Sequence, residues 1–181
     1  MPEAKKIWDG ILTLVLAVAL SLIVRTYLAE ARWIPSTSML PTLKVGDRLL
    51  IDKISMKFNG INHGDIIVFH APPSSGMNED MIKRVVGLPG DTVSIKKGTV
   101  YINGNPLDEP YELEKPKDDF KPFTVPGNSI FVMGDNRNNS FDSRFWGVVP
   151  EELIIGRALA CYYPFSNAAI FKIQGSLKPA S

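Results

Sequence analysis

Three Gly-Asp pairs, each followed by a run of apolar or β-branched residues, most constrain the fold of this chain. The pairs begin at residues 46, 64 and 90, and the runs that follow them cover 48–51, 66–69 and 92–95. Glycine and aspartate favour turns, while such runs favour strands, so each pair predicts a turn that leads into a strand. A chain in which this pattern recurs is predicted to be mainly β.

Other segments after the first 33 residues support the same fold class. Asn103-Gly104 follows the strand-like run 99–102, and Asn-Gly in that setting is a hairpin signal. Further strands are predicted at 129–133, 153–163 and 169–173. None of these segments shows a long helical period, which excludes a helical bundle.

The one long apolar run, residues 11–24, predicts a membrane segment. It is short for a span, but extension to 7–28 reaches the roughly 20 residues that a bilayer requires. We therefore predict a short N-terminus at 1–6, a transmembrane helix at 7–28 and a β-rich domain at 29–181. A cleavable signal with a small-x-small site at 29–31 is the alternative, which the charged and aromatic residues just before that site disfavour.

Composition limits the remaining possibilities. The formal net charge of 181 residues is only +1, so no basic field points to nucleic acid. The single cysteine, Cys161, cannot form an intrachain disulfide and lies in an apolar run, which favours a buried structural thiol. The length suits one compact domain with an anchor.

A serine just beyond the apolar run is the strongest candidate for chemistry. Ser38 lies between Pro35 and Pro41, and a serine becomes a nucleophile only when a base takes its proton. Neither histidine of the chain stands in a known triad setting. Lys83, among apolar neighbours, is the better candidate, because burial lowers the pKa of a lysine and leaves a neutral amine as base.

Four blocks of sequence resemble the bacterial type I signal peptidase family. They are Ser-Met-Leu-Pro-Thr-Leu at 38–43, Gly-Asp-Ile-Ile-Val-Phe at 64–69, Lys-Arg-Val-Val-Gly-Leu-Pro-Gly-Asp at 83–91 and Gly-Asp-Asn-Arg-Asn-Asn-Ser-Phe-Asp-Ser-Arg at 134–144. They occur in the family's order, and with the apolar segment they cover most of the chain. The resemblance implies an antiparallel β-sheet catalytic domain behind one N-terminal transmembrane helix.

The resemblance also implies a role for each matching residue. Ser38 would be the nucleophile and Lys83 the general base, while the Ser38 N–H and the Ser36 hydroxyl would form the oxyanion hole. Ser140 would orient the lysine beside a supporting Asp142–Arg144 ion pair. Pockets for small side chains would be lined by Ile34, Met39, Leu43 and Ile82, although burial of these four in the core explains the same pattern.

The implied function is removal of signal peptides from exported preproteins after Ala-x-Ala sites by a serine endopeptidase. The chain would be anchored in the lipid bilayer of the cytoplasmic membrane. Its N-terminus would lie on the cytoplasmic side and its catalytic domain on the extracytoplasmic side. No cofactor, metal or nucleic acid is expected. A membrane-tethered β-rich binding module without catalysis is the alternative, and it predicts that Ser38→Ala and Lys83→Ala leave function in cells unchanged.

Three other patterns are weaker. Ser94-Ile95-Lys96-Lys97 matches the Ser-x-x-Lys of penicillin-binding enzymes, but it lies in a strand-like run and their other motifs are missing. Self-cleaving repressors share the Ser/Lys chemistry but cut an Ala-Gly bond, a pair that this sequence lacks. The block at 134–144 departs from the calcium-loop pattern at its third and sixth positions. Segments 72–80 and 108–121 are predicted to be exposed connections without a catalytic role.

Overall fold

The computed structural model describes residues 2–23 and 29–171. Its helices are α1 (Pro2–Ile23), α2 (Ser55–Asn59) and α3 (Ser143–Trp146). Its strands are β1 (Ala29–Trp33), β2 (Arg48–Asp52), β3 (Ile66–His70), β4 (Asp80–Gly87), β5 (Thr92–Lys96), β6 (Thr99–Ile102), β7 (Asn105–Pro106), β8 (Phe120–Thr124), β9 (Ser129–Met133), β10 (Val149–Pro150), β11 (Ile154–Tyr163) and β12 (Ala169–Ile170). The prediction of a mainly β chain is confirmed.

The N-terminal helix covers most of the predicted membrane segment. Residues 6–22 of α1 are exposed, and their apolar side chains face outward along its length. Across residues 2–23 and 29–171, no helix combines the length and the hydropathy that a membrane span needs. Residues 24–28 of the predicted span lie outside the described residues, as does the end of the strand predicted at 169–173.

A large antiparallel sheet carries Lys83 on its strand β4. Its strand order is β1-β2-β11-β3-β4-β9-β10, with β12 paired to β11. Strand β4 lies between β3 and β9, and its side chains from Met81 to Gly87 are buried. A side chain on such an interior strand is held by neighbours on both sides, which suits a group that must be placed accurately.

A smaller antiparallel sheet, ordered β7-β6-β5-β8, packs beside it. Two-residue turns at Lys97-Gly98 and Asn103-Gly104 join β5 to β6 and β6 to β7, and all four residues have positive φ. Positive φ at both central residues is the turn geometry that matches the twist of a hairpin. The predicted hairpin at Asn103-Gly104 is therefore confirmed.

Element boundaries differ from the sequence prediction in two places. The segment 108–121 was predicted to be a loop throughout, whereas its last two residues begin β8. The segment 72–80 ends on the first residue of β4. In both cases a polar or proline-containing stretch continues into a strand because the strand pairs with a neighbour that the local composition does not reveal.

Candidate active site

The turn that carries Ser38 leaves β1 and returns toward β2. The Ile34 N–H donates to the Asp47 carbonyl, and the Gly46 N–H donates to the Ile34 carbonyl, both at 2.9 Å, so the two ends of the turn are tied together. Within it, the Leu43 N–H donates to the Met39 carbonyl. A turn closed at its base in this way holds the serine in a fixed position, and Ser38 is 8% exposed.

Lys83 approaches this serine from the middle of β4. Its backbone pairs with Ile67 of β3, and its side chain is 4% exposed. Nζ lies 2.9 Å from Ser38 Oγ and 3.0 Å from the Ile82 carbonyl oxygen. The structure therefore brings together the two groups that the sequence analysis proposed as nucleophile and base, although 45 positions separate them in the chain.

The environment of Lys83 favours the neutral amine. Burial lowers the pKa of Lys83 from 10.5 to about 8, and the charges of Asp142, Glu79 and Asp135 only partly oppose that effect. In the described part of the chain, Nζ forms no ion pair. An amine with this pKa is deprotonated in a useful fraction of molecules near neutral pH, so it can accept a proton.

Ser36 places a second hydroxyl beside that of Ser38. Its Oγ lies 3.3 Å from Ser38 Oγ, and Ser36 itself is exposed. The Ser38 backbone N–H donates to no acceptor among the described residues. The free N–H of Ser38 and the Ser36 hydroxyl next to Ser38 Oγ are the kinds of donor that stabilise an oxyanion.

Asp142 organises the loop that follows β9. This carboxylate is fully buried, and it accepts hydrogen bonds from Ser140 Oγ at 2.7 Å and from the Gly134 N–H at 3.0 Å. Arg144 donates to both of its oxygens at 2.8 Å, which forms the ion pair that the sequence analysis expected. The hydroxyl of Ser140 thus bonds Asp142 rather than Lys83, and Asp142 affects Lys83 through its charge.

The same loop packs directly on the turn that carries Ser38. The Asn136 N–H donates to the Ser38 carbonyl at 3.1 Å, and the side chains of Asn136 and Asn139 donate to the backbone and hydroxyl of Thr37. A Cβ added at Gly134 would lie 2.4 Å from the Ser38 carbonyl oxygen. Only glycine therefore permits this approach. Sequence reasoning missed the two asparagines, although they lie within the quoted block 134–144.

Arg84 and Asp135 form a buried ion pair that sequence reasoning also missed. Arg84 donates to both oxygens of Asp135, from Nε at 2.8 Å and from Nη2 at 2.6 Å, and to the Gly64 carbonyl from Nη1 at 2.9 Å. Thr42 Oγ1 donates to the same carboxylate. The pair therefore joins β4, the turn that carries Ser38 and the loop after β9. Both residues lie inside quoted blocks, Arg84 in 83–91 and Asp135 in 134–144, which was the available signal.

The four predicted pocket residues lie in one buried cluster. Ile34, Met39, Leu43 and Ile82 pack together with side chains from β2, β3 and β11. Two of them adjoin the dyad in sequence, since Met39 follows Ser38 and Ile82 precedes Lys83. Their assignment to substrate pockets stays a prediction.

The two histidines and the cysteine are engaged elsewhere. His63 Nε2 contacts Asp91 and His70 Nδ1 contacts Asp80, each at 2.6 Å. Cys161 is buried, as predicted, and burial raises the pKa of its thiol. Among the residues that the structure describes, no group of three or more His, Cys, Asp and Glu side chains could hold a metal ion.

Known proteins similar to this chain are signal peptidases. Residues 7–163 match the family described as signal peptidase, peptidase S26. The chain is 52% identical to a signal peptidase I of Leptolyngbya laminosa over 88% of this chain and 81% of that protein. It is 46% identical to a probable signal peptidase I-2 of Synechocystis over 87% of this chain and 74% of that protein. A crystal structure of a signal peptidase I from Enterococcus faecalis V583 aligns at 36% identity and a TM-score of 0.46, over 53% of this chain and 94% of that one.

Proposed function

We propose, on the premise that this chain belongs to the signal peptidase family, peptidase S26, that it cleaves signal peptides from preproteins with Ser38 as nucleophile and Lys83 as general base. Membership of this family makes it a serine endopeptidase. The observation that carries the assignment of the dyad is the 2.9 Å contact between Lys83 Nζ and Ser38 Oγ. A base must lie within hydrogen-bond reach of the proton that it removes, and this contact meets that requirement.

The reaction proceeds in two stages. The neutral Lys83 amine takes the hydroxyl proton while Ser38 Oγ attacks the scissile carbonyl carbon, and the resulting ammonium then protonates the departing amide nitrogen. This leaves an ester between Ser38 and the signal peptide. A water molecule that gives its proton to Lys83 attacks the ester carbonyl, and proton return to Ser38 Oγ releases the peptide and restores the enzyme.

The negative charge that develops in both stages falls on the substrate carbonyl oxygen. The Ser38 N–H and the Ser36 hydroxyl are the proposed donors to it, supported by the free N–H and by the proximity of the two hydroxyls. Loss of one such donor typically costs about 10²–10³ in kcat.

Ser140, Asp142 and Arg144 are proposed to position the dyad. Asp142 fixes the start of its loop through the Gly134 N–H, and that loop in turn holds the Ser38 carbonyl through the Asn136 N–H. Its charge also keeps the pKa of Lys83 from falling further. These residues would therefore set both the place and the proton affinity of the base.

Specificity is proposed to come from the buried cluster next to the dyad. Ile34, Met39, Leu43 and Ile82 present branched or flexible apolar side chains beside Ser38 and Lys83. Shallow apolar pockets lined in this way accept alanine and exclude large side chains by steric conflict. Ala-x-Ala before the cut is the preference that follows.

The proposed location is the cytoplasmic membrane, with residues 7–28 as a single span and the catalytic domain on the extracytoplasmic side. Its support is the outward-facing apolar surface of α1. A tethered enzyme meets bilayer-embedded substrates at a raised effective concentration. In sealed inside-out vesicles, residues 29–181 should resist added protease, and digestion there would reject this orientation.

The test of function is cleavage of a preprotein with an Ala-x-Ala site by the purified protein. Wild type should release the signal peptide, whereas Ser38→Ala and Lys83→Met should lose about a thousandfold or more in kcat/KM, because members of a catalytic unit fail together. Exposed Ser74→Ala is the matched control and should cleave normally. Normal cleavage by a folded Lys83→Met variant would reject the dyad.

A further inference from the structure

A segment predicted to be an exposed connection instead lies against the catalytic loops. We name residues 108–117 the strap; it connects β7 and β8 of the smaller sheet. The Glu109 side chain is 4% exposed and Tyr111 is half-buried, and burial raises the pKa of the Tyr111 hydroxyl. The prediction of an exposed surface is therefore wrong for these two positions.

The strap neutralises a buried cation in the loop after β9. Both carboxylate oxygens of Glu109 accept from the guanidinium of Arg137, at 2.5 and 2.8 Å, and Arg137 is fully buried. Arg137 Nε donates to the carbonyl of Gly134, a residue that also packs against Ser140 and the Ser38 carbonyl. A buried guanidinium needs carboxylate partners, and the strap supplies Glu109 in direct contact and Glu112 at 3.6 Å, which allows Arg137 to hold Gly134 in place.

The strap also covers the ion pair beside Lys83. The Arg84 guanidinium lies 3.8 Å from the centre of the Tyr111 ring, a contact that favours a cation over an aromatic face. Two residues on, the Leu113 N–H donates to the Asp135 carbonyl at 3.0 Å. Arg84 is thereby held between a carboxylate on one side and the strap on the other.

A third attachment lies farther along the strap. Asn138 Nδ2 donates to the Lys115 carbonyl at 3.0 Å, and the Lys117 N–H donates to Asn138 Oδ1 at 2.9 Å. The strap thus bonds Asp135, Arg137 and Asn138, three residues of the loop that also bears Asn136 and Asn139. Its hydrogen bonds and ion pairs reach none of the four predicted pocket residues.

We infer that the strap is a positioning element for the dyad: Glu109 and Tyr111, through Arg137 and Arg84, hold the 134–140 loop and β4 at the spacing that keeps Ser38 and Lys83 in contact. This inference rests on the proposed function. Because the strap acts on the reacting groups and not on the pockets, its loss lowers kcat and leaves KM nearly unchanged. Misplacement of reacting groups by about 1 Å can cost about a hundredfold in rate.

The experiment measures kcat and KM for preprotein cleavage by Glu109→Gln and Tyr111→Leu in the full-length protein, well below the melting temperature of each variant. We expect kcat to fall about ten- to a hundredfold with KM within about twofold of wild type. Tyr111→Phe keeps the ring over Arg84 and should restore most of kcat. Glu114→Gln, an exposed carboxylate in the same strap, is the matched control and should behave as wild type.

The outcomes separate the inference from its premise. An inactive wild type would reject the proposed function and the inference with it. An active wild type with kcat unchanged in folded Glu109→Gln and Tyr111→Leu would reject the inference alone, as would a loss confined to KM or equal in Tyr111→Leu and Tyr111→Phe. If Glu109→Gln does not fold, the contrast between leucine and phenylalanine at 111 decides.

Discussion

Lys83 and Arg84 are adjacent cations on one strand, and both are buried, at 4% and 6% exposure, yet their surroundings differ completely. Arg84 has a carboxylate along one edge of its guanidinium, a backbone carbonyl at Nη1 and an aromatic ring over its face. Lys83 has one serine hydroxyl and one carbonyl. The fold fully compensates one charge and leaves the other poorly compensated.

The difference shows how one dipeptide serves two purposes. A guanidinium keeps its proton in proteins, so burial of Arg84 requires a partner and yields a rigid connection between segments. An amine can escape the cost of burial by releasing its proton, and poor compensation therefore favours the neutral amine of Lys83, the form that the proposed base requires. The two positions are not interchangeable, even though both residue types carry a positive charge in water.

Matched methionine substitutions should separate the two cations most clearly. Arg84→Met leaves Asp135 buried without its cation and should lower the free energy of unfolding by about 3–5 kcal/mol. Lys83→Met removes a poorly solvated amine and should raise it by about 1–3 kcal/mol at pH 7, since one unit of pKa shift corresponds to about 1.4 kcal/mol. Urea denaturation of both variants, with exposed Lys96→Met as control, measures the two changes.

The increase in the free energy of unfolding that Lys83→Met produces should become smaller as pH rises. The pKa of Lys83 is about 8 in the fold and 10.5 in the unfolded chain, so between these values the unfolded chain binds more protons. The wild type therefore becomes relatively more stable as pH rises through this window, and the advantage of methionine shrinks. Equal destabilisation by both substitutions would show that the two cations are compensated alike.

A smaller effect is expected in the pH dependence of cleavage. With a pKa of about 8, roughly a tenth of Lys83 is neutral at pH 7 and most of it is neutral at pH 9, so kcat/KM should rise about tenfold between them. Initial rates on a preprotein substrate across pH 6–10 give this profile. A flat profile would mean that Lys83 does not supply the base.

Local sequence was sufficient to predict the strands and to single out Ser38 and Lys83, whose side chains the structure brings within 2.9 Å; their catalytic roles stay a prediction. The Gly-Asp turns, the Asn103-Gly104 hairpin and β9 at 129–133 follow from short-range preferences, and the structure contains each of them. Ser38 and Lys83 were identified because motif position and apolar context agreed. In each case the determining information lies within about ten residues of the position concerned.

The connections between segments could not be predicted in this way. Glu109 and Arg137 are 28 positions apart, and Arg84 and Asp135 are 51 apart, so nothing in the local pattern marks them as partners. The acidic, proline-containing composition around Glu109 instead indicated a solvated loop. Burial of a polar segment follows from what the other sheet brings opposite it, which only the tertiary structure shows.

Asp135 has a consequence for when proteolysis can begin. Its side chain joins Thr42 to Arg84, and its carbonyl accepts from Leu113, so four distant stretches of chain meet at one residue. In an unfolded chain the side chain of Lys83 is in water, where a lysine keeps its proton at neutral pH. The contact between Lys83 and Ser38, and with it the proposed proteolysis, therefore depends on the folded tertiary structure, because 45 positions separate the two residues in the chain.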